Sequence, residues 1–331
     1  MKSILCAITA WLLLTAASAS HASDKITIMV GGIEKHIYLP AKLAEQLGYL
    51  RETGLDVELL SEPTGVNAET ELLSGAAQGV IGFYDHTIDL QARGKLAQSV
   101  VQFSHTPGEA ILVSRAASGH IKSPADFKGR RLGVTGLGSS TNFLTLYLAA
   151  KAGIKSTEFS TLPVGAGATF IAAMGQGKIE AGMTTEPTIS RLVHTGAASI
   201  LVDLRSPKET EKALGGTYPA ACLYMESAWV NTHKPQVQKL ANAFVKTLRY
   251  IRSHSAKEIA DRMPADYYAS DKKMYIEALE NSKVMFTDDG VMPANGPATV
   301  LGVLNAFDKS VQGKSINLAN TYTTEFVKAA K

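Results

Sequence analysis

The chain has 331 residues, of which 45% are hydrophobic and 19% charged, and its 33 lysines and arginines face 30 aspartates and glutamates for a net charge of +3. That length holds two ordinary domains with full cores. So even a balance argues against a basic nucleic-acid surface or an acidic-membrane binder, and no low-complexity tract or short repeat interrupts the chain.

The N-terminus places Lys2 before an apolar run at 4–17, then Ser18, Ala19, Ser20, His21 and Ala22. A basic start, a short apolar segment and small residues at the cleavage positions predict an export leader over residues 1–22, removed before Ser23. The run is too short to span a bilayer comfortably. Cleavage leaves Cys222 as the single cysteine, so the fold must rest on its core and not on a disulfide.

Residues 25–30 alternate as a strand and run into Gly31 and Gly32. Leu39, Leu43, Ala44 and Leu47 give helical spacing over 39–47. A strand at 55–60, a helix at 68–74, a strand at 79–83, a helix at 87–93 and a strand at 96–103 follow. A second set begins with a strand at 110–114 and a short helix at 124–127. It continues with strand 132–134, a Gly/Ser turn opening a helix, strand 161–164, helix 166–176, strand 180–184, helix 187–194 and strand 199–204. After an apolar stretch at 220–225 the chain is mostly helical, over 234–253, 256–263, 271–284, 297–307 and 324–330. Alternating strands and helices predict an α/β protein with mainly parallel sheets. Extended stretches near 104–114 and 215–226 predict two lobes joined by two hinge strands. Lobe 1 takes residues 23–110 and 218–331, and lobe 2 takes 111–217.

Open α/β sheets bind ligands at the carboxyl ends of their strands, so the turns at 31–38, 84–86, 136–141 and 185–187 are the candidate site. The most informative of these carries Gly136, Gly138, Ser139, Ser140 and Thr141. Its hydroxyls sit at a helix N-cap beside unsatisfied amides and the positive end of the helix dipole, a cradle for a small anion. The same residues also serve as ordinary caps and turn formers. No Gly-Lys-Ser/Thr follows the glycines, which excludes a Walker A loop, and no dinucleotide fingerprint is present.

Tyr84, Asp85 and His86 directly follow a strand and reach for the same cleft. Asp85 accepts from a solute N–H or caps the next helix, and His86 donates to an anion or faces water. Tyr38 stacks on a planar ligand or packs on its helix, with His36 beside it. Ser104, His105 and Thr106 touch ligand or tie a hinge to backbone. Glu186, before Pro187, recognises a cationic or N–H group or favours a helix start. None of these turns carries an arginine, so a bound anion relies on neutral donors or a protonated histidine. A monoanionic or zwitterionic organic acid, or a planar heterocycle, suits that set. A hydrolytic arrangement of Asp85, His86 and Ser139 lacks Gly-x-Ser-x-Gly, and a metal site from His36, Asp85 and His86 lacks a supporting motif.

Several phrases then resemble one family in order: Leu-Gly-Tyr-Leu-Arg-Glu-Thr-Gly-Leu-Asp-Val-Glu at 47–58, Gly-Val-Ile-Gly-Phe at 79–83, and Ser-Pro-Ala-Asp-Phe-Lys-Gly-Arg-Arg-Leu-Gly-Val at 123–134. They continue with Gly-Ser-Ser-Thr at 138–141, Ala-Ala-Met-Gly-Gln-Gly-Lys-Ile-Glu-Ala-Gly at 172–182 and Glu-Pro at 186–187. Together they resemble the substrate-binding proteins of ABC importers, in the SsuA/THI5-like or NMT1-like group that binds sulfonates, taurine, nitrate and thiamine pyrimidines. The resemblance covers roughly residues 25–205. It implies a type II periplasmic-binding-protein fold, a small-molecule solute in the interlobe cleft, and a periplasmic monomer that delivers it to an inner-membrane permease. It implies no cofactor, metal or catalytic residue. By position it assigns ligand contact to His36, Tyr38, Tyr84, Asp85, His86, Ser104, Gly138, Ser139, Ser140, Thr141 and Glu186. The alternatives are a periplasmic sensor input domain and, from intracellular relatives, a thiamine-pyrimidine-synthesis enzyme.

Overall fold

A computed structural model describes residues 25–268 and 271–330; the leader expected at 1–22 lies outside the described residues. The first set of elements is β1 (Lys25–Val30), α1 (Leu39–Gln46), α2 (Tyr49–Glu52), β2 (Asp56–Ser61), α3 (Gly65–Leu73), β3 (Gly79–Phe83), α4 (Asp85–Ala92) and β4 (Ala97–Gln102). The chain then crosses to β5 (Glu109–Ser114), β6 (Arg131–Val134), α5 (Ser140–Lys151), β7 (Ser160–Pro163), α6 (Ala168–Gly175), β8 (Ala181–Thr185), α7 (Thr188–His194), β9 (Ala198–Asp203) and α8 (Pro207–Leu214). It returns to β10 (Ala221–Glu226), and α9 (Ser227–Thr232), α10 (Lys234–Ser253), α11 (Ala256–Ala260), α12 (Lys272–Ser282), α13 (Gly296–Asn305) and α14 (Glu325–Lys328) complete the order.

The strands form two five-stranded sheets of identical plan, β2-β1-β3-β10-β4 and β7-β6-β8-β5-β9. In each, the first three strands pair parallel, and the strand that has just crossed between lobes, β10 or β5, pairs antiparallel with both neighbours. The sheets are therefore mixed in pairing, although four strands of each run the same way. This is a two-lobed α/β fold. The parallel direction brings the carboxyl ends of β1, β3, β6 and β8 to the face where the lobes meet.

Burial follows the sequence pattern. β3 and β5 are buried along their whole length, as strands covered on both faces must be, whereas β2 at a sheet edge is largely open. α10 buries Val237, Leu240, Ala241, Phe244, Val245, Leu248 and Ile251 along one stripe, the helical apolar period. No helix among the described residues is long and apolar enough to cross a membrane.

The structure adds an element between β9 and β10: α8, which Ser206 caps by accepting from the Glu209 N–H and which begins with Pro207. Its short, strongly polar segment carries little apolar signal. α3 starts at Gly65, three residues earlier than its apolar spacing predicts, because Thr64 caps the Asn67 N–H. α4 starts at Asp85 instead of Thr87, so two expected turn residues belong to a helix.

Candidate functional site

β3 ends at Phe83 and α4 begins at Asp85, so Tyr84, Asp85 and His86 leave the sheet within one helical turn and must diverge. Tyr84 turns into the core, its hydroxyl 2.5 Å from Thr321 Oγ1 and its ring edge-on to Tyr322. Asp85 is fully buried and faces the other lobe: Oδ1 accepts from Ser140 Oγ at 2.8 Å and Oδ2 from the Tyr218 hydroxyl at 3.0 Å. Burial raises its carboxyl above the ordinary value, while His86, Ser140 and Tyr218 pull it back.

His86 is held from behind. Its Nδ1 lies 3.3 Å from the Tyr224 hydroxyl and 3.4 Å from Glu69 Oε2, and Phe143 and Tyr224 meet its ring edge to face. Gly65 leaves room for it, since a Cβ there would stand 3.0 Å from His86 Cε1. An Nδ1–H donated to the Tyr224 hydroxyl leaves Nε2 to act outward, and Nε2 has no hydrogen-bond partner among the described residues.

In the second lobe, Thr141 Oγ1 accepts from the Thr135 N–H at 3.0 Å and meets Thr135 Oγ1 at 2.8 Å, which fixes the turn between β6 and α5. Gly138, at φ +84°, gives its N–H to Asn142 Oδ1. Ser139 stands at the N-cap of α5 but caps nothing: its Oγ is buried and without a partner. A serine at that position ordinarily satisfies a helix amide. Here its hydroxyl faces a cavity instead.

That cavity lies between the lobes, leaves only about 10 Å³ for the centre of a water-sized group, and is lined by Tyr38, Phe83 and His86 on one side and by Ser139, Ser140, Thr141 and Thr185 on the other. It is narrow throughout, so a bound organic solute requires the lobes to part. They touch on either flank, through Phe143 against Phe307 and through α7 against α12. A backbone bond from the His36 N–H to the Glu186 carbonyl also joins them.

Two charged residues complete the lining. Lys35, 4% exposed, folds back over Gly32, whose φ of +109° admits no side chain, and donates to the carbonyls of Gly31 at 2.6 Å and Pro63 at 3.1 Å. Burial pulls its ammonium down to about 8. Glu109, at the start of β5 and 2% exposed, carries an Oε2 with no partner, and burial pushes its carboxyl well above the ordinary value.

Of the predicted site residues, Tyr38, His86, Ser139, Ser140 and Thr141 line the cavity, with Asp85 directly behind Ser140 and Gly138 within the turn. Four others turn away. His36 packs edge-on to Tyr275 with Nδ1 3.3 Å from Ser282 Oγ, and burial lowers its imidazole to about 3, so it is neutral. Tyr84 is in the core. Ser104 ties the two crossings together, accepting from the Ala221 N–H and donating to the Thr106 carbonyl, both at 2.9 Å. Glu186 is saturated by the Ser190 N–H and hydroxyl and by Arg205, at 2.9, 2.9 and 2.6 Å. Sequence patterning includes Lys35 and Thr185 in candidate turns without singling them out, and misses Glu109 and Tyr218. Glu109 left a signal, a carboxylate heading the apolar run Ala110–Val113; a lysine in a turn reads as solvated and leaves none.

The fold and the closed polar cavity define a two-lobed architecture of the periplasmic-binding-protein type. The chain belongs to the NMT1/THI5-like family, whose profile matches residues 37–258. A solved Bordetella bronchiseptica RB50 protein is 36% identical, with a TM-score of 0.89 over 92% of this chain and 96% of its own. The alkanesulfonate-binding protein SsuA from Xanthomonas axonopodis pv. citri, bound to MOPS, shares the fold at 19% identity and a TM-score of 0.71, over 91% of this chain and 98% of that one. The periplasmic nitrate-binding protein NrtA from Synechocystis PCC 6803 does so at 12% identity and 0.72, over 92% and 87%. Four Saccharomyces cerevisiae 4-amino-5-hydroxymethyl-2-methylpyrimidine phosphate synthases are 32% identical over 116 residues, 35% of this chain. The chain spans about a third (34%) of the length of these curated relatives.

Proposed function

We propose that the protein is the solute-binding subunit of an ABC importer. It is exported by the leader at residues 1–22, works in the periplasm as a monomer, and divides into lobes near residues 110 and 218. It takes a small organic anion or heterocycle between the lobes and presents the closed form to a membrane permease. One observation carries this reading: His86 Nε2 from the first lobe and Ser139 Oγ, Thr185 Oγ1 and Glu109 Oε2 from the second sheet are all buried, all without a hydrogen-bond partner among the described residues, and all on residues lining one cavity. Buried polar atoms are ordinarily paired, so a cluster of exceptions marks a place where a polar solute supplies the partners. The α5 N-terminus with Ser139 suits an anionic or carbonyl oxygen, and the Tyr38 and Phe83 rings suit a planar body.

A thermal-shift screen of sulfonates, taurine, nitrate, aromatic carboxylates, pyrimidines and amino acids tests this. A true solute at a hundred times its dissociation constant adds about 2.7 kcal/mol of stability, and Ser139→Ala removes about a third of that gain or more. A solute that stabilises both forms equally would place binding elsewhere. The partial match to the yeast synthases favours a second reading, synthesis of a pyrimidine in the same cavity. Appearance of a pyrimidine product, followed by mass spectrometry, would establish it in place of transport.

A further inference from the structure

Resting on the solute-binding reading, we propose that Glu109 selects the solute, accepting a hydrogen bond from an N–H group that the ligand must carry: an ammonium or an aromatic amine. The remaining groups in and around the cavity narrow the choice to this residue. Asp85 has both oxygens engaged by Ser140 and Tyr218. Glu69 accepts from Arg93 at 2.7 Å and stands behind His86, and Glu186 is held by Ser190 and Arg205. Lys35 spends two of its N–H bonds on the Gly31 and Pro63 carbonyls and acts on Glu109 through its charge, without a hydrogen bond to it. Glu109 alone among these carboxyls has an oxygen that is buried and uncommitted.

Its position aims it at the solute. Glu109 stands directly opposite Thr185 in the antiparallel β5/β8 register, so the two side chains leave the same face of the sheet. Both line the cavity, and Thr185 Oγ1 is unpartnered as well. Hydroxyls such as Thr185 and Ser139 donate or accept equally and so discriminate poorly. Once ionised, a carboxylate only accepts, and a bound group without an N–H then leaves it buried and unpaired, whereas the protonated form also donates. Burial and the neighbouring Asp85 discourage the charge on Glu109 and Lys35 favours it, so a bound cation adds to Lys35 in drawing the proton off. Opposite it, the α5 hydroxyls take the oxygen end of the same molecule. The favoured solute therefore pairs an N–H donor with an acceptor or anionic group, as in an aminosulfonate, an amino acid or an aminopyrimidine.

Two matched probe pairs test this on the purified protein by calorimetry: taurine against isethionate, and 4-aminopyrimidine against pyrimidine. Members of a pair differ in the amino group. A small-molecule extract equilibrated with the protein and read by mass spectrometry widens the search. The amino member of at least one pair, or an extract compound bearing an N–H donor, is expected to bind, with the matched analogue lacking the amino group about tenfold weaker. Glu109→Leu is expected to abolish that preference while leaving the unliganded melting temperature unchanged or raised, since leucine removes an unpaired buried polar group. Equal binding within a pair, or a retained solute without an N–H, overturns the Glu109 assignment and leaves solute binding standing. A Glu109→Leu melting temperature lowered by more than about 4 °C also overturns it, because the carboxyl would then have a structural partner. Retention of no probe and no extract compound overturns the solute-binding reading itself.

Discussion

The two strand-to-helix turns of the second lobe, after β6 and after β8, carry polar residues of the kind that cap helices, and the fold uses them in opposite ways. After β8, Glu186 is fully committed: two bonds from Ser190 at the start of α7 and an ion pair with Arg205, itself held by Asp203. After β6, Ser139 occupies the formal N-cap of α5 yet leaves its hydroxyl free in the cavity. Position after a parallel strand is the same for both. What separates a structural group from a ligand-facing one is whether neighbouring chain has already supplied its partners.

Four measurements would break or sharpen that contrast. The largest effect is expected at the committed turn. Glu186→Ala leaves Arg205 half-buried beside Asp203 alone, and should lower the free energy of unfolding by about 3 kcal/mol in urea titration. A loss under about 1 kcal/mol would mean that the cluster is not holding the turn.

Next comes pH. His36, down at about 3 in the folded chain against an ordinary 6.5, stays neutral while the unfolded chain binds a proton. Its contribution is complete above pH 6.5 and is lost as pH falls toward 3, amounting to about 2 kcal/mol by pH 5. Asp85 and Glu109, both raised by burial, act in the opposite sense as pH falls. The measurement is therefore the difference in melting curves between wild type and His36→Asn at pH 7 and pH 5. Parallel curves would show that His36 is accessible to protons, and so closer to the cleft than its packing on Tyr275 indicates.

A smaller effect is expected at the bond that joins the lobes. Ser140→Ala removes a charge-assisted hydrogen bond to Asp85 and should cost about 1.5 kcal/mol. Scattering should show a larger radius of gyration, because the bond spans the cleft. An unchanged radius would assign closure to the flanking contacts of Phe143 with Phe307. The smallest stability effect belongs to Ser139→Ala: within about 0.5 kcal/mol of wild type, since its hydroxyl has no partner to lose. Solute affinity should nevertheless fall about fivefold or more in calorimetry. Stability lost without affinity lost would make Ser139 a cap after all.

Much of the fold was legible because it is written in local periods. Alternation at 25–30, the apolar run at 79–83 and the stripe of 234–253 each mark an element that the structure contains, and the order of elements leads to two linked sheets. Helix starts at Gly65 and Asp85 were displaced by two or three residues, because caps and turn geometry, not apolar spacing, decide them. The candidate site was legible as a set of turns but not as a set of side chains. Tyr38, His86 and the Ser139–Thr141 hydroxyls line the cavity. His36, Tyr84, Ser104 and Glu186 satisfy core, hinge and cap instead.

The sequence by itself determined the class of fold, the repeated strand-and-helix wiring and the family, because each of these depends on residue order along the chain. Tertiary structure alone decided which polar groups are free. Lys35 is buried only because Gly32 and Pro63 fold over it, Asp85 is occupied only because α5 of the other lobe brings Ser140 within 2.8 Å, and Glu109 meets Thr185 only through the register of two antiparallel strands. A hydrogen bond between residues 55 positions apart leaves no periodicity to read. It exists only once the two lobes have been brought face to face.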